Sequence, residues 1–123
     1  MAIDKKGTLT YIHLQKEDLA VFRVVPEDGI IPDYEAGQFI TVGMPIPSEN
    51  NKIVRRAYSM ASHPENKKYI ELVIRWVRRP LPGRVTTALF NSGEGDEVSW
   101  IPPTGVALKI NKKLGLTYFC ETY

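Results

Sequence analysis

The sequence predicts an all-β domain, a sandwich or a closed barrel, carrying one short helix. Three observations predict it. Strand-like runs of β-branched and aromatic residues recur at short intervals, and turn signals separate them. Only one segment spaces its apolar residues as a helix does. The connections are too short for crossover helices, so antiparallel pairing is expected.

Taken in order, Thr8 to Gln15 is the first run, rich in β-branched and aromatic residues. Leu19 to Val25 is the second, and Pro26-Glu27-Asp28-Gly29 ends it with a strong turn signal. Gln38 to Val42 follows Ala36-Gly37 and precedes a loop expected over 43–51. Ile53 to Ala61 and Tyr69 to Val77 read as two strands joined by a turn over 62–68. Glu97 to Ile101 and Val106 to Ile110 flank the turn Pro102-Pro103-Thr104-Gly105. The helix is expected at Arg84 to Phe90. Pro80-Leu81-Pro82-Gly83 breaks the strand before it, Val85, Ala88 and Leu89 make one apolar stripe, and Asn91-Ser92-Gly93 stops it. So short a helix cannot persist alone, so it must be docked, as a cap on a barrel end.

Size and composition exclude several classes. A chain of 123 residues is one domain, or one domain and the beginning of another. It buries roughly two thirds of the surface its unfolded form exposes. Its apolar runs fall far short of the ~20 residues that span a bilayer, so no membrane partner is expected. Met1 to Lys6 lacks the apolar centre of a secretory signal, which makes a cytoplasmic setting the expectation. Cys120 is the only cysteine, so neither an internal disulfide nor a cysteine-based metal cluster can form. His13 and His63 have no carboxylate at useful spacing, and no metal site is expected. A net charge of +2 is too small to argue for nucleic acid. Basic residues nevertheless cluster: Lys67-Lys68 reads as a solvated turn, whereas Arg56, Arg75 and Arg84 are as readily explained by an anionic ligand.

Chemistry concentrates in Arg56-Ala57-Tyr58-Ser59. In a strand, side chains two apart share a face, so Arg56 and Tyr58 project together. A fixed guanidinium beside an aromatic plane suits a ligand with a phosphate and a flat ring, such as a flavin nucleotide. Ser59 falls on the opposite face unless the strand ends or bulges there. A second anion-binding candidate is Gly83-Arg84-Val85-Thr86, where a glycine precedes free helical N–H groups. Thr86 is there a possible donor or a plain capping residue.

Tyr34-Glu35-Ala36-Gly37-Gln38-Phe39, Arg56-Ala57-Tyr58-Ser59 and Gly83-Arg84-Val85-Thr86 occur in that order, followed by Gly95-Asp96-Glu97-Val98 and Pro103-Thr104-Gly105. Together they resemble the FAD-binding domain of the ferredoxin–NADP reductase family, over about residues 8–110. The resemblance implies a six-stranded antiparallel Greek-key barrel with one small helix. It implies that Arg56 binds the FAD pyrophosphate, that Tyr58 packs on the isoalloxazine, and that Ser59 hydrogen-bonds near flavin N5. Tyr58 and Ser59 would thus be the residues nearest the chemistry, with Ala57 between them. Val73, Ile74 and Arg75 match the strand whose backbone runs beside the cofactor. Gly83, Arg84, Val85 and Thr86 match the helix start at the pyrophosphate. Trp76 is expected in packing rather than on the cofactor, and Cys120 in a strand core.

The family's catalytic unit also carries a doubly wound domain with a glycine-rich loop for NADP, which this sequence lacks. Residues 1–110 are therefore expected to be the FAD-binding barrel. Residues 111–123 would be a linker, Lys112-Lys113-Leu114-Gly115, and the cut-off first strand of the missing domain, Leu116 to Cys120. The nicotinamide site would be absent or supplied elsewhere. The function implied is electron transfer between NAD(P)H and a one-electron carrier such as ferredoxin or flavodoxin, with this chain alone binding flavin at best. Two rivals remain: a non-catalytic barrel that binds flavin weakly or serves protein interaction, and a barrel for single-stranded nucleic acid. The second leaves the Gly83–Thr86 helix start unexplained.

Overall fold

Side chains along Leu19–Pro26 alternate strictly between buried and part-exposed, with Ala20, Phe22 and Val24 fully buried. That period of two is what a strand with one face on a core requires. It recurs in β5, where Ile70, Leu72 and Ile74 turn inward. The computed structural model describes residues 4–78, 81–104, 109–111 and 116–118. Its strands are β1 (Lys5–Lys16), β2 (Leu19–Pro26), β3 (Phe39–Ile46), β4 (Lys52–Ser59), β5 (Ile70–Arg75) and β6 (Glu97–Thr104), with α1 (Arg84–Phe90) between the last two.

These six strands form one antiparallel sheet in the order β4-β3-β6-β1-β2-β5. The all-β, six-stranded expectation with one short helix therefore holds. "Barrel" applies only loosely, since the ladder does not close between β4 and β5. Leu9, Phe22, Ile40, Ile70, Leu72, Leu89 and Trp100 fill the interior. α1 docks as its apolar stripe requires: Val85 and Leu89 are buried, and Phe90 packs edge-on against Phe22 at 5.5 Å. A separate two-stranded ladder pairs β7 (Lys109–Asn111) with β8 (Leu116–Tyr118). Within the expected last segments, Gly105, residues 106–108, the linker 112–115 and Cys120 lie outside the described residues, as do Arg79 and Pro80.

Two strands run on through prolines where the sequence predicts a loop or a turn. β3 runs on through Gly43, Met44, Pro45 and Ile46, where a loop is expected. Pairing with β6 stops at Gly43↔Ser99, so Pro45 has a strand on one side only, the place a sheet tolerates a residue without an N–H. β6 likewise continues through Pro102 and Pro103. A register shift between Phe39 and Thr41 lies opposite them, so the irregular stretch of the ladder accommodates the missing donors.

Candidate functional site

Where β4 and β5 part, they leave a cleft. At one end the seam is drawn together just beyond β4, where Ala61 N–H donates to Glu71 O at 2.7 Å. Along the rest the two strands present edges that carry no ladder among the described residues. The cleft between them has a volume of about 440 Å³. Arg56, Ala57 and Tyr58 form one lip, Val73, Ile74, Arg75 and Val77 the other, and Gly83, Arg84, Val85 and Thr86 close the far end. Of the sequence-predicted site residues, only Ser59 is absent from it. The ladder with β3 stays regular to Phe39↔Ser59, so strand alternation carries Ser59 away from Tyr58. It lines an adjoining groove with Gly37, Met60 and His63.

Tyr58 is the most unusual group in this cleft. Its hydroxyl oxygen is buried and has no hydrogen-bond partner among the described residues. Burial pushes the phenol up to about 12, against a smaller opposing pull from the Arg56 guanidinium. Because the unfolded chain ionises near 10.0, stability is expected to fall as pH rises from there through about 12, where only the unfolded state has lost the proton. Tyrosinate absorbance during alkaline titration checks this: a step near 12 is expected in the wild type and should be missing from Tyr58→Phe.

Arg56 is exposed, and its Nη1 donates to Arg55 O at 2.8 Å. No carboxylate pairs with it among the described residues. Arg75 and Arg84 differ, for they pair with Asp18 at 3.0 Å and Glu49 at 2.8 Å. Among the described residues the cleft thus holds one cation with no counter-ion and two that are partly neutralised.

The helix mouth is shaped by Gly83. Its N–H donates to Val77 O at 2.8 Å, and its carbonyl takes the first helical hydrogen bond, from Thr87 N–H at 2.9 Å. The N–H groups of Arg84, Val85 and Thr86 precede that bond and have no carbonyl one turn upstream to meet. A Cβ on Gly83 would lie 2.7 Å from Thr86 Oγ1 and 3.2 Å from Val77 Cβ, so no other residue fits without displacement. Thr86 is buried and its hydroxyl is committed to the loop, lying 3.3 Å from Gly83 O and accepting from Val77 N–H at 3.3 Å. Its hydroxyl is thereby a clamp on the loop.

Other residues resolve as structure. Trp76 stacks on Phe90 at 5.2 Å, bonds Thr87 Oγ1 at 3.0 Å and carries Arg78 on its ring at 4.2 Å, in keeping with its expected packing role. Lys67 pairs with Asp33 at 2.9 Å on the surface. Tyr34 is a residue whose part the sequence did not reveal. Its hydroxyl lies 3.0 Å from Ser62 O, Ser62 Oγ and His63 O, tying the loop before β3 to the turn after β4. A larger groove of about 680 Å³ lies across α1, but Arg84 is its only cation and it contains no aromatic ring. No helix among the described residues is long and apolar enough to cross a membrane.

Comparison with known proteins bears on this geometry. Residues 7–108 match the family described as the oxidoreductase FAD-binding domain. Among solved structures, the chain resembles the cytochrome b5 reductase domain of Ulva prolifera nitrate reductase, at TM-score 0.72 and 21% identity, covering 84% of this chain and 42% of that one. It also resembles the flavohem-like FAD/NAD-binding domain of nitric oxide dioxygenase from Vibrio cholerae, at 0.73 and 24%, covering 82% and 44%. A third is a ferredoxin NADP+ reductase from Neisseria gonorrhoeae with bound FAD and NADP, at 0.70 and 18%, covering 85% and 39%. At such identities the likeness is one of fold, and the chain spans less than half the length of each. No curated protein matches the sequence.

Proposed function

The chain belongs to the oxidoreductase FAD-binding domain family, and from that premise we propose that it is the flavin-holding part of an enzyme passing electrons between NAD(P)H and a one-electron carrier such as ferredoxin or flavodoxin. The observation that carries this reading is the cleft itself. A cation without a counter-ion, a phenol with an unpartnered hydroxyl and an open helix mouth line one groove.

The residues fit FAD by their chemistry. Arg56 would hold the pyrophosphate with charge-assisted hydrogen bonds, helped by the N–H groups of Arg84, Val85 and Thr86. Tyr58 would pack against the isoalloxazine and give its hydroxyl a partner. Val73 and Arg75 turn their backbone toward the opposite lip, on the side of β5 that carries no ladder among the described residues, while Ile74 between them pairs with β2; that edge suits the polar rim of a flat ring. Val73 and Val77 are 51% and 47% exposed, and a bound ring would cover apolar surface now facing water. The N5 role of the Ser59 hydroxyl rests on the resemblance alone, and it requires the chain to turn back toward the cleft where β4 ends at Ser59. When bound, FAD supplies hydride acceptance and single-electron release, while the protein orients it and tunes its electronics. Reaction with NAD(P)H falls to a nucleotide-binding unit beyond the matched residues. Reductases of this fold support the carrier assignment, one of them a ferredoxin NADP+ reductase.

An absorption spectrum taken during FAD addition tests the reading. Saturable displacement of the flavin bands is expected, and a spectrum identical to free FAD at high concentration would count against it. Tyr58→Phe carries a sharper expectation. Leaving a buried hydroxyl unpaired costs about 1–3 kcal/mol. Its removal should therefore stabilise the FAD-free protein by up to about 1 kcal/mol while weakening FAD binding several-fold. Thermal melts with and without FAD should show these opposite signs.

A further inference from the structure

Glu49 has no place on the cleft lining, yet it holds one of the cleft's arginines. Its Oε1 lies 2.8 Å from Arg84 Nη1, with side chains 32% and 45% exposed. The position of the acid is set by a tight loop. Glu49 ends the 3₁₀ turn Pro47–Glu49, and both following residues, Asn50 and Asn51, take left-handed backbone at φ 57° and 60°. Asparagine adopts that conformation more readily than most residues. Asn51 N–H then donates to Ile46 O at 3.0 Å and closes the loop. Arg84 itself lines both the cleft and the larger groove across α1, so it stands where the two meet.

On the reading that this cleft holds FAD, we propose that Glu49 sets its affinity for diphosphate-bearing ligands by competing for Arg84. An anion arriving at the Gly83–Thr86 mouth meets a guanidinium already partnered by a carboxylate. A diphosphate offers paired oxygens, which match the fork of an arginine better than a single oxygen does. The ligand gains Arg84 only to the extent that Glu49 releases it. Since both side chains are partly in water, the exchange is close to balanced. Arg56 carries the anion without such competition, and Glu49 determines how much Arg84 adds.

The test is calorimetric binding of FAD, inorganic pyrophosphate and riboflavin to the wild type, Glu49→Gln, Arg84→Ala and the double variant, with folding checked by circular dichroism. Glu49→Gln is expected to tighten FAD and pyrophosphate about two- to five-fold, the scale of a partly exposed ion pair. Riboflavin, which lacks phosphate, should bind unchanged, and the gain should vanish without Arg84. Unchanged or weaker anion binding by a folded Glu49→Gln protein would overturn the proposal, because Glu49 would then orient Arg84 rather than restrain it. A gain that extends to riboflavin, or persists in the double variant, would overturn it too. If pyrophosphate shows the gain but FAD binds no variant, the competition stands and the flavin reading fails. If no probe binds any variant, both fail.

Discussion

Replacing Arg56 with alanine is expected to weaken FAD binding about ten- to a hundred-fold, the loss of one or two charge-assisted hydrogen bonds. The fold should scarcely notice. Arg56 is exposed and its one internal hydrogen bond is to the carbonyl of its own neighbour, Arg55. Substitutions of that kind usually change stability by no more than about 0.5 kcal/mol. Arg56→Lys should recover only part of the affinity, since an ammonium is a point charge without the planar fork. Quenching of flavin fluorescence during titration measures all three proteins. A wild-type affinity in Arg56→Ala would remove this guanidinium from the site.

Trp100→Ala should do the reverse and act on stability first. The indole is fully buried in β6, its Nε1–H donates to Lys6 O at 3.1 Å, and Lys5 Nζ lies 5.8 Å from the ring. Gly7 makes room for it, for a Cβ there would stand 3.2 Å from the indole Cδ1. Cutting so large a side chain to a methyl costs about 3–5 kcal/mol, a large share of the 5–15 kcal/mol that holds a typical domain together. Urea denaturation should show a midpoint lowered accordingly. Trp100 lines none of the cleft, so any FAD still bound by the folded fraction should bind with near-normal affinity. Together the two variants separate the site from the scaffold beneath it.

Much of this was legible locally. The helix over Arg84–Phe90 was expected from three apolar positions and its glycine and proline flanks, and it forms at those bounds. Period-two patterns placed β1, β2, β4 and β5 to within a few residues. The prolines misled for a physical reason. Pro45, Pro102 and Pro103 break a ladder only where a neighbouring strand needs their N–H, and that depends on which strands pair and where pairing stops. Nothing nearby in sequence records it. The same holds for Glu49 on Arg84 and for Tyr34 on the 62–63 turn, contacts between residues 35 and 28 or 29 positions apart. Pattern alone also did not show that the sheet stays open between β4 and β5. That opening turns a pair of strand edges into a cleft, and the resemblance located its residues without explaining why the space exists. For Thr86 local sequence favours a cap over a donor, and the structure shows its buried hydroxyl bonded to Gly83 O and Val77 N–H.

Backbone amide shifts measured by NMR as FAD is added to the isotope-labelled protein test most directly where the ligand sits. If the parted seam is the binding groove, amides of Val73, Ile74 and Arg75 on one lip and of Arg84, Val85 and Thr86 at its end should shift along one saturation curve. Those of Tyr11 and His13, which line no part of the groove, should stay still. Shifts confined to Met44, Ile46 and Asn91 in the larger groove beyond α1, with the seam unmoved, would contradict the account.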